Sequence, residues 1–476
     1  MAEQSEPQHK IGLVPLVLMT TALFMTLRNL PMMAETGMQM LILNTITVFA
    51  YLIPTALISA ELATGWPQNG VFHWVEAAFG TPVGFIAVFL QWVQSIFGVT
   101  SIVAFAAASF GQMISPELAT NPYFLFFTIL SLYWGATLAN FKGTKISERI
   151  SSVAVVVGVY FPSLLLILAG ATYALLGGEI QLDTSFTLSN WVPSLESTNS
   201  LVLFMSFVFG FVGIEVSACH AREVKDVQKN YPTAIFIAAI FGFVVTLLGG
   251  AAVSFILPAS QISSISGSLQ AFSAYYSFFE LGAFITITAF LVGLGATGQV
   301  STWIVGPVKG MWAAAQRGLL PERFAKTNEV GVPAALLVLQ ATLISIIAVS
   351  FLFADNVDLV FLVLTSVAVL LYSIMYIVMF IAAIRLRYTH PDTPRPYKVP
   401  GKNWGIWVLG GIGGLTASTC FAIGFLPPEG LPLSLFRFET TMVIATLLAL
   451  IIPLGIWASR REKLSSIPKV SPDRTL

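Results

Sequence analysis

Runs of about twenty or more mostly apolar residues recur twelve times along this chain, at roughly 11–33, 38–63, 82–114, 122–140, 150–177, 199–220, 232–257, 278–306, 332–353, 358–386, 404–425 and 438–460. About twenty such residues, each rising about 1.5 Å in a helix, cross the roughly 30 Å hydrocarbon core of a bilayer. Backbone polar groups find no water there, so a spanning segment of this kind must bond within itself, as a helix does. The pattern predicts an all-α integral membrane protein with twelve transmembrane helices. The third run is long enough to tilt strongly or to include extramembrane turns. Composition agrees: 10% of the 476 residues are charged and 56% are hydrophobic, whereas a soluble domain carries about 25% charge.

Basic residues then set an orientation, because short cytoplasmic loops collect Lys and Arg. With the N-terminus inside, 21 of the 23 Lys and Arg fall on the cytoplasmic side, and only Arg28 and Arg437 do not. The opposite loops carry Glu117, Glu179, Asp183, Glu196, Glu280, Asp355 and Asp358. Both termini are therefore expected in the cytoplasm: a short leader at 1–10 and a tail at 461–476. The opening MAEQSEPQHK lacks the basic start of a signal peptide, so the first apolar helix is expected to remain in the mature protein. The stretch MWAAAQRGLL after the eighth run reads as a short helix lying at the membrane surface.

Several function classes are excluded at this level. The formal net charge is zero, so no basic field invites nucleic acid. There is no GxxxxGK[ST] phosphate loop, HExxH, CxxC or GxSxG, and the four histidines are dispersed. No metal or cofactor is expected. A receptor would lack an output domain, and an embedded enzyme would lack convergent catalytic groups. Secondary transport of a small molecule is what remains.

The sixth run, SFVFGFVGIEVSACH, points to where transport chemistry sits. Gly210 and Gly213 weaken the helix, each by about 1 kcal/mol relative to Ala, directly before Glu215. An unwound turn would present carbonyls to an ammonium and amides to a carboxylate, the two groups of an amino acid. The same glycines would equally serve close helix packing. Glu215, near mid-helix, either holds a substrate amine or a proton, or caps and pairs structurally. Arg28 sits late in the first run, where it reads either as a carboxylate ligand for substrate or as a static partner of Glu215 or an outer acid. Gln299 and Trp303 share a face of the eighth run, as Tyr372 and Tyr376 do on the tenth, and they line a permeation path or merely pack. His220 and His73 read as interfacial histidines.

AELATGWPQNGVFHWV (60–75), FKGTKISERI (141–150), GIEVSACHAREV with the following YP (213–232), STWIVGPVKGM (301–311) and the paired tyrosines together resemble the amino acid–polyamine–organocation superfamily of transporters. The nearest branch is the bacterial glutamate/γ-aminobutyrate antiporters. The resemblance implies a core of two inverted five-helix repeats of the LeuT type, at 11–190 and 191–386. Two peripheral helices follow at 404–460. It implies breaks in the first and sixth helices with substrate between them, and a path lined by Glu215, Trp303, Tyr372 and Tyr376. It further implies a multi-pass protein of the bacterial inner membrane, monomeric or homodimeric, that works by alternating access. Three departures stand out: Arg28-Asn29-Leu30 replaces tyrosines, Gln299 replaces an acid, and the tail is short for a cytoplasmic plug. The fifth run (151–178) has no acidic or basic residue to carry a coupling ion. The expectation is therefore an exchanger of glutamate or a related polar amino acid, with γ-aminobutyrate a candidate exchange partner. The alternative is a proton-coupled or exchange transporter of neutral or cationic amino acids or amines.

Overall fold

A computed structural model describes residues 10–67, 70–143, 152–193, 198–354, 356–427 and 434–465. The leader at 1–9, the tail after 465, and Lys145, Arg149, Glu196 and Asp355 lie outside the described residues. Twelve helical spans cover Leu13–Ala34, Gln39–Gly65, Thr81–Ile114, Pro122–Asn140, Ser152–Leu175, Leu201–Glu223, Val227–Ile256, Phe284–Gln316, Ala334–Phe353, Val357–Thr389, Lys402–Ile423 and Leu435–Arg460. No strand occurs among the described residues, only an isolated parallel bridge between Ile11 and Val224. The third and sixth spans are the most buried, and the fourth and twelfth the least. The third packs along the eighth and the tenth and forms the axis of the bundle.

The eighth span corrects the sequence reading. MWAAAQ continues the same helix through Pro307 to Gln316 instead of forming a separate surface helix. Its small apolar face explains why: Met311, Ala313, Ala314 and Ala315 are buried in the bundle. Trp312 donates to the Ala325 carbonyl at 2.9 Å, and Arg317 just beyond meets Glu76 at 3.1 Å.

Ion pairs cluster at one end of the bundle, the basic face. The Arg387 Nε and Nη2 groups grip the two Glu61 oxygens at 2.5 and 2.6 Å, and the Val399 amide adds a third donor at 2.8 Å. This fixes the second span to the tenth and to the loop behind it. Arg395 approaches Glu61 at 3.6 Å and lies over the Trp66 ring. At the opposite end, Glu35 follows the first span. Burial, aided by the negative charge of Asp358, pushes its carboxyl up to about 7.

Two outcomes follow from these arrangements. The fifth and eighth spans cross backbone to backbone at Gly158 and Gly295, where a Cβ on Gly158 would stand 2.3 Å from the Gly295 Cα. Gly158→Ala should cost at least the ~1–3 kcal/mol of an overpacked core, visible as a lower melting temperature in detergent. The raised Glu35 carboxyl favours its protonated form in the fold. Its contribution to stability is complete below the ordinary carboxyl pKa and is lost as pH rises through about 7. The melting temperature should therefore fall less between pH 5 and pH 8 in Glu35→Gln than in the parent.

Candidate functional site

The first span stops being helical after Phe24. Met25 and Thr26 are extended (φ,ψ −77°,120° and −153°,143°), and a short 3-10 turn, Leu27–Asn29, leads into Leu30–Ala34. The sixth span breaks at the same depth. Helix Thr198–Phe209 gives way to a turn and then to a 3-10 segment, Ile214–Glu223. Gly213 turns the chain at φ 104°, and a Cβ there would strike the Trp303 ring at 2.5 Å. Gly210 serves close approach, since a Cβ there would meet the Met33 methyl at 2.5 Å. The two readings of these glycines thus divide between them: Gly213 makes the turn, and Gly210 lets the helices pack.

Side chains take up the released backbone groups. Trp303 donates its indole N–H to the Leu23 carbonyl at 2.7 Å, Gln299 donates to the Met25 carbonyl, and Ser268 donates to the Leu27 carbonyl at 2.6 Å. The Gly213 amide donates to the Tyr376 hydroxyl at 3.1 Å.

Between the two breaks lies a small cavity of about 20 Å³, room for about one water, walled by the first, third, sixth and eighth spans. Arg28, Gln94, Gln299 and Trp303 are among its walls, and every lining side chain is buried. Arg28 donates to Ser101, and its guanidinium lies 4.8 Å from the Phe209 ring centre and 5.7 Å from that of Phe361. Such cation–π contacts are worth about 0.5–2 kcal/mol each, well short of what an unpaired buried charge costs. Arg28 has no carboxylate partner among the described residues, so a static pair with Glu215 is not formed. Three buried polar atoms of this cavity are left unbonded: Arg28 Nε, Gln94 Nε2 and Gln299 Oε1.

Glu215 belongs to a second compartment. The hydroxyls of Tyr372 and Tyr376 donate to its two oxygens, and Gln91 donates at 3.4 Å. Trp303 stands between this cluster and the cavity, 6.4 Å from the Tyr372 ring centre. The eight sequence-derived residues therefore separate. Arg28, Gln299 and Trp303 face the cavity, Glu215, Tyr372 and Tyr376 form a bonded cluster behind Trp303, and Gly210 and Gly213 shape the break. Gln91, Gln94 and Ser101 of the third span were missed. The signal was present, because Gln91, Gln94 and Ser95 recur at i, i+3 and i+4 in an otherwise apolar run. His220, at the end of the sixth span, is buried and bonds Glu223 at 3.0 Å, while Lys309 reaches Glu223 at 2.6 Å. No cluster of metal-ligating side chains occurs among the described residues.

Residues 11–452 match the family model described as amino acid permease. An uncharacterized transporter of Legionella pneumophila is 32% identical over 458 residues, covering 96% of this chain and 98% of that protein. A glutamate/γ-aminobutyrate antiporter of Lactococcus lactis is 30% identical over 457 residues, covering 94% and 90%. A probable agmatine/putrescine antiporter of the same species is 28% identical and covers 75% of each chain.

The Glu215 cluster generates a ranking. Each tyrosine gives the carboxylate a donor and accepts one bond, Tyr376 from the Gly213 amide and Tyr372 from Gln91 at 3.3 Å. Gln91 keeps Glu215 as an acceptor when Tyr372 is lost, whereas the Gly213 amide is left unbonded when Tyr376 is lost. Leaving a buried group unbonded costs about 1–3 kcal/mol. Tyr376→Phe should therefore lower the detergent melting temperature more than Tyr372→Phe, and equal losses would contradict the geometry.

Proposed function

The chain belongs to the amino acid permease family, and from that premise we propose that it is an amino acid antiporter. Its substrate is glutamate or a related polar amino acid, moved by alternating access. The observation that carries this reading is the small cavity between two helix breaks, with unbonded donors on Arg28 and Gln94 and an unbonded acceptor on Gln299. These are complementary to a carboxylate and an ammonium. Their lodging between unwound segments follows the general pattern of transporter sites. The Lactococcus antiporter's name brings γ-aminobutyrate in as a candidate on the return leg. Arg28 disfavours cationic amines such as those named for the agmatine/putrescine relative, since it would place two positive charges in one buried space.

Exchange is preferred to ion-driven uptake because the fifth span carries no acidic or basic side chain and meets the eighth backbone to backbone. The reading puts the basic face in the cytoplasm, where Lys and Arg collect, and the chain in a bacterial inner membrane. The same reading takes 11–190 and 191–386 as the two five-helix repeats, and the facing breaks of the first and sixth spans support it.

Purified protein in liposomes tests the function. Labelled glutamate should enter vesicles loaded with amino acid and should not enter vesicles loaded with buffer, at pH 5.5 and at pH 7.5. Uptake into empty vesicles driven by a proton gradient would replace antiport with symport and make Glu215 the first residue to substitute.

A further inference from the structure

The cavity holds a formal charge that nothing around it neutralises. Arg28 is buried, bonds one neutral hydroxyl, and keeps its Nε unbonded. Glu215 does not serve as a local counter-ion, because its oxygens accept from Tyr372, Tyr376 and Gln91 on the far side of Trp303. The other polar groups of the cavity are neutral. Gln94, on the third span, is buried with its amide nitrogen unbonded while its oxygen lies against Gly98. Two donors, one of them cationic, thus lack an acceptor, and Gln299 Oε1 alone lacks a donor.

Ligands can be sorted by what they bring to that set. A zwitterion such as γ-aminobutyrate or glutamine adds one positive and one negative charge and leaves the buried guanidinium uncompensated. A dicarboxylate without an amine overshoots to net −1 in the loaded cavity and leaves the Gln299 acceptor empty. An amino acid with a second carboxylate brings net −1 in total, neutralises the cavity and gives its ammonium an acceptor. Alternating access returns the site loaded, so the same sorting applies on both legs of an exchange.

We propose that this cavity selects amino acids of net charge −1 in both directions, with Arg28 and Gln94 together reading the additional carboxylate. The inference rests on the antiport reading above and narrows it: the return substrate is a second acidic amino acid and not γ-aminobutyrate. Gln94 is the specificity residue that makes the idea testable by a reversal of preference, since Gln94→Glu would supply Arg28 with an internal counter-ion.

The experiment uses the full chain in liposomes at pH 7.5, loaded with glutamate, aspartate, γ-aminobutyrate or glutamine, and follows labelled aspartate. Glutamate- or aspartate-loaded vesicles should exchange at least tenfold faster than γ-aminobutyrate- or glutamine-loaded ones. Gln94→Glu should lose aspartate uptake and gain glutamine/γ-aminobutyrate exchange. A thermal-shift assay in detergent supplies a readout independent of flux: glutamate should raise the melting temperature of the parent, and glutamine that of Gln94→Glu. If Gln94→Glu does not fold, Arg28→Met takes its place, and its preference for acidic over neutral substrates should disappear. Equal exchange against γ-aminobutyrate and glutamate by the parent, or a folded Gln94→Glu that still prefers aspartate, would overturn the charge rule while leaving antiport intact. Folded protein that moves none of the four amino acids would remove the antiport reading, and this inference with it.

Discussion

Backbone groups released inside a membrane bundle have no water to bond, and this constraint organises the centre of the molecule. Unwinding the first and sixth helices exposes carbonyls and amides at the depth where each must find a partner in protein. Trp303, Gln299 and Ser268 take the carbonyls of the first break, and Tyr376 takes the amide of Gly213. Side chains that read from sequence as path-lining residues are thus also what makes the breaks affordable. Gln299 shows the double duty most directly, since its amide nitrogen secures Met25 and its oxygen is left facing the cavity.

Two ionisable groups are buried near these breaks, and the fold treats them differently. Glu215 is given three donors and is enclosed. Arg28 is given one hydroxyl and two aromatic faces, and its Nε is left unbonded. A completed shell holds a group in place, whereas an incomplete one awaits something from outside. The contrast between them, more than the presence of either, distinguishes the cavity as the place for a ligand.

Much of this was legible in the sequence because bilayer thickness is a hard length constraint. Most of the twelve apolar runs match the helices to within a few residues, and the exception has a cause. The eighth helix runs past the apolar stretch because Met311 and Ala313–Ala315 keep an apolar face on the bundle even where Lys309 and Arg317 make the sequence look like a surface segment. The break in the sixth helix was readable from its glycines. The break in the first was reached only by resemblance, since Met25 and Thr26 are not breakers by type and are held extended by tertiary contacts. The stripe of Gln91, Gln94 and Ser95 marks a polar face on the third run, but spacing alone does not say what that face meets. Nor does spacing alone show that Trp303 separates Arg28 and Gln299 from Glu215, Tyr372 and Tyr376.

The bridge between Ile11 and Val224 has a mechanical meaning. The Ile11 amide donates to the Glu223 carbonyl at 2.7 Å, and the Lys225 amide donates back to the Ile11 carbonyl at 2.9 Å. The start of the first helix and the close of the sixth are thereby stitched into one short ribbon, each segment leading from the basic face to its own break. Two half-helices joined at their outer ends, each running inward to its own break, form a single yoke. A displacement of one at the basic face is therefore carried to the other, which couples the two walls of the cavity through backbone alone.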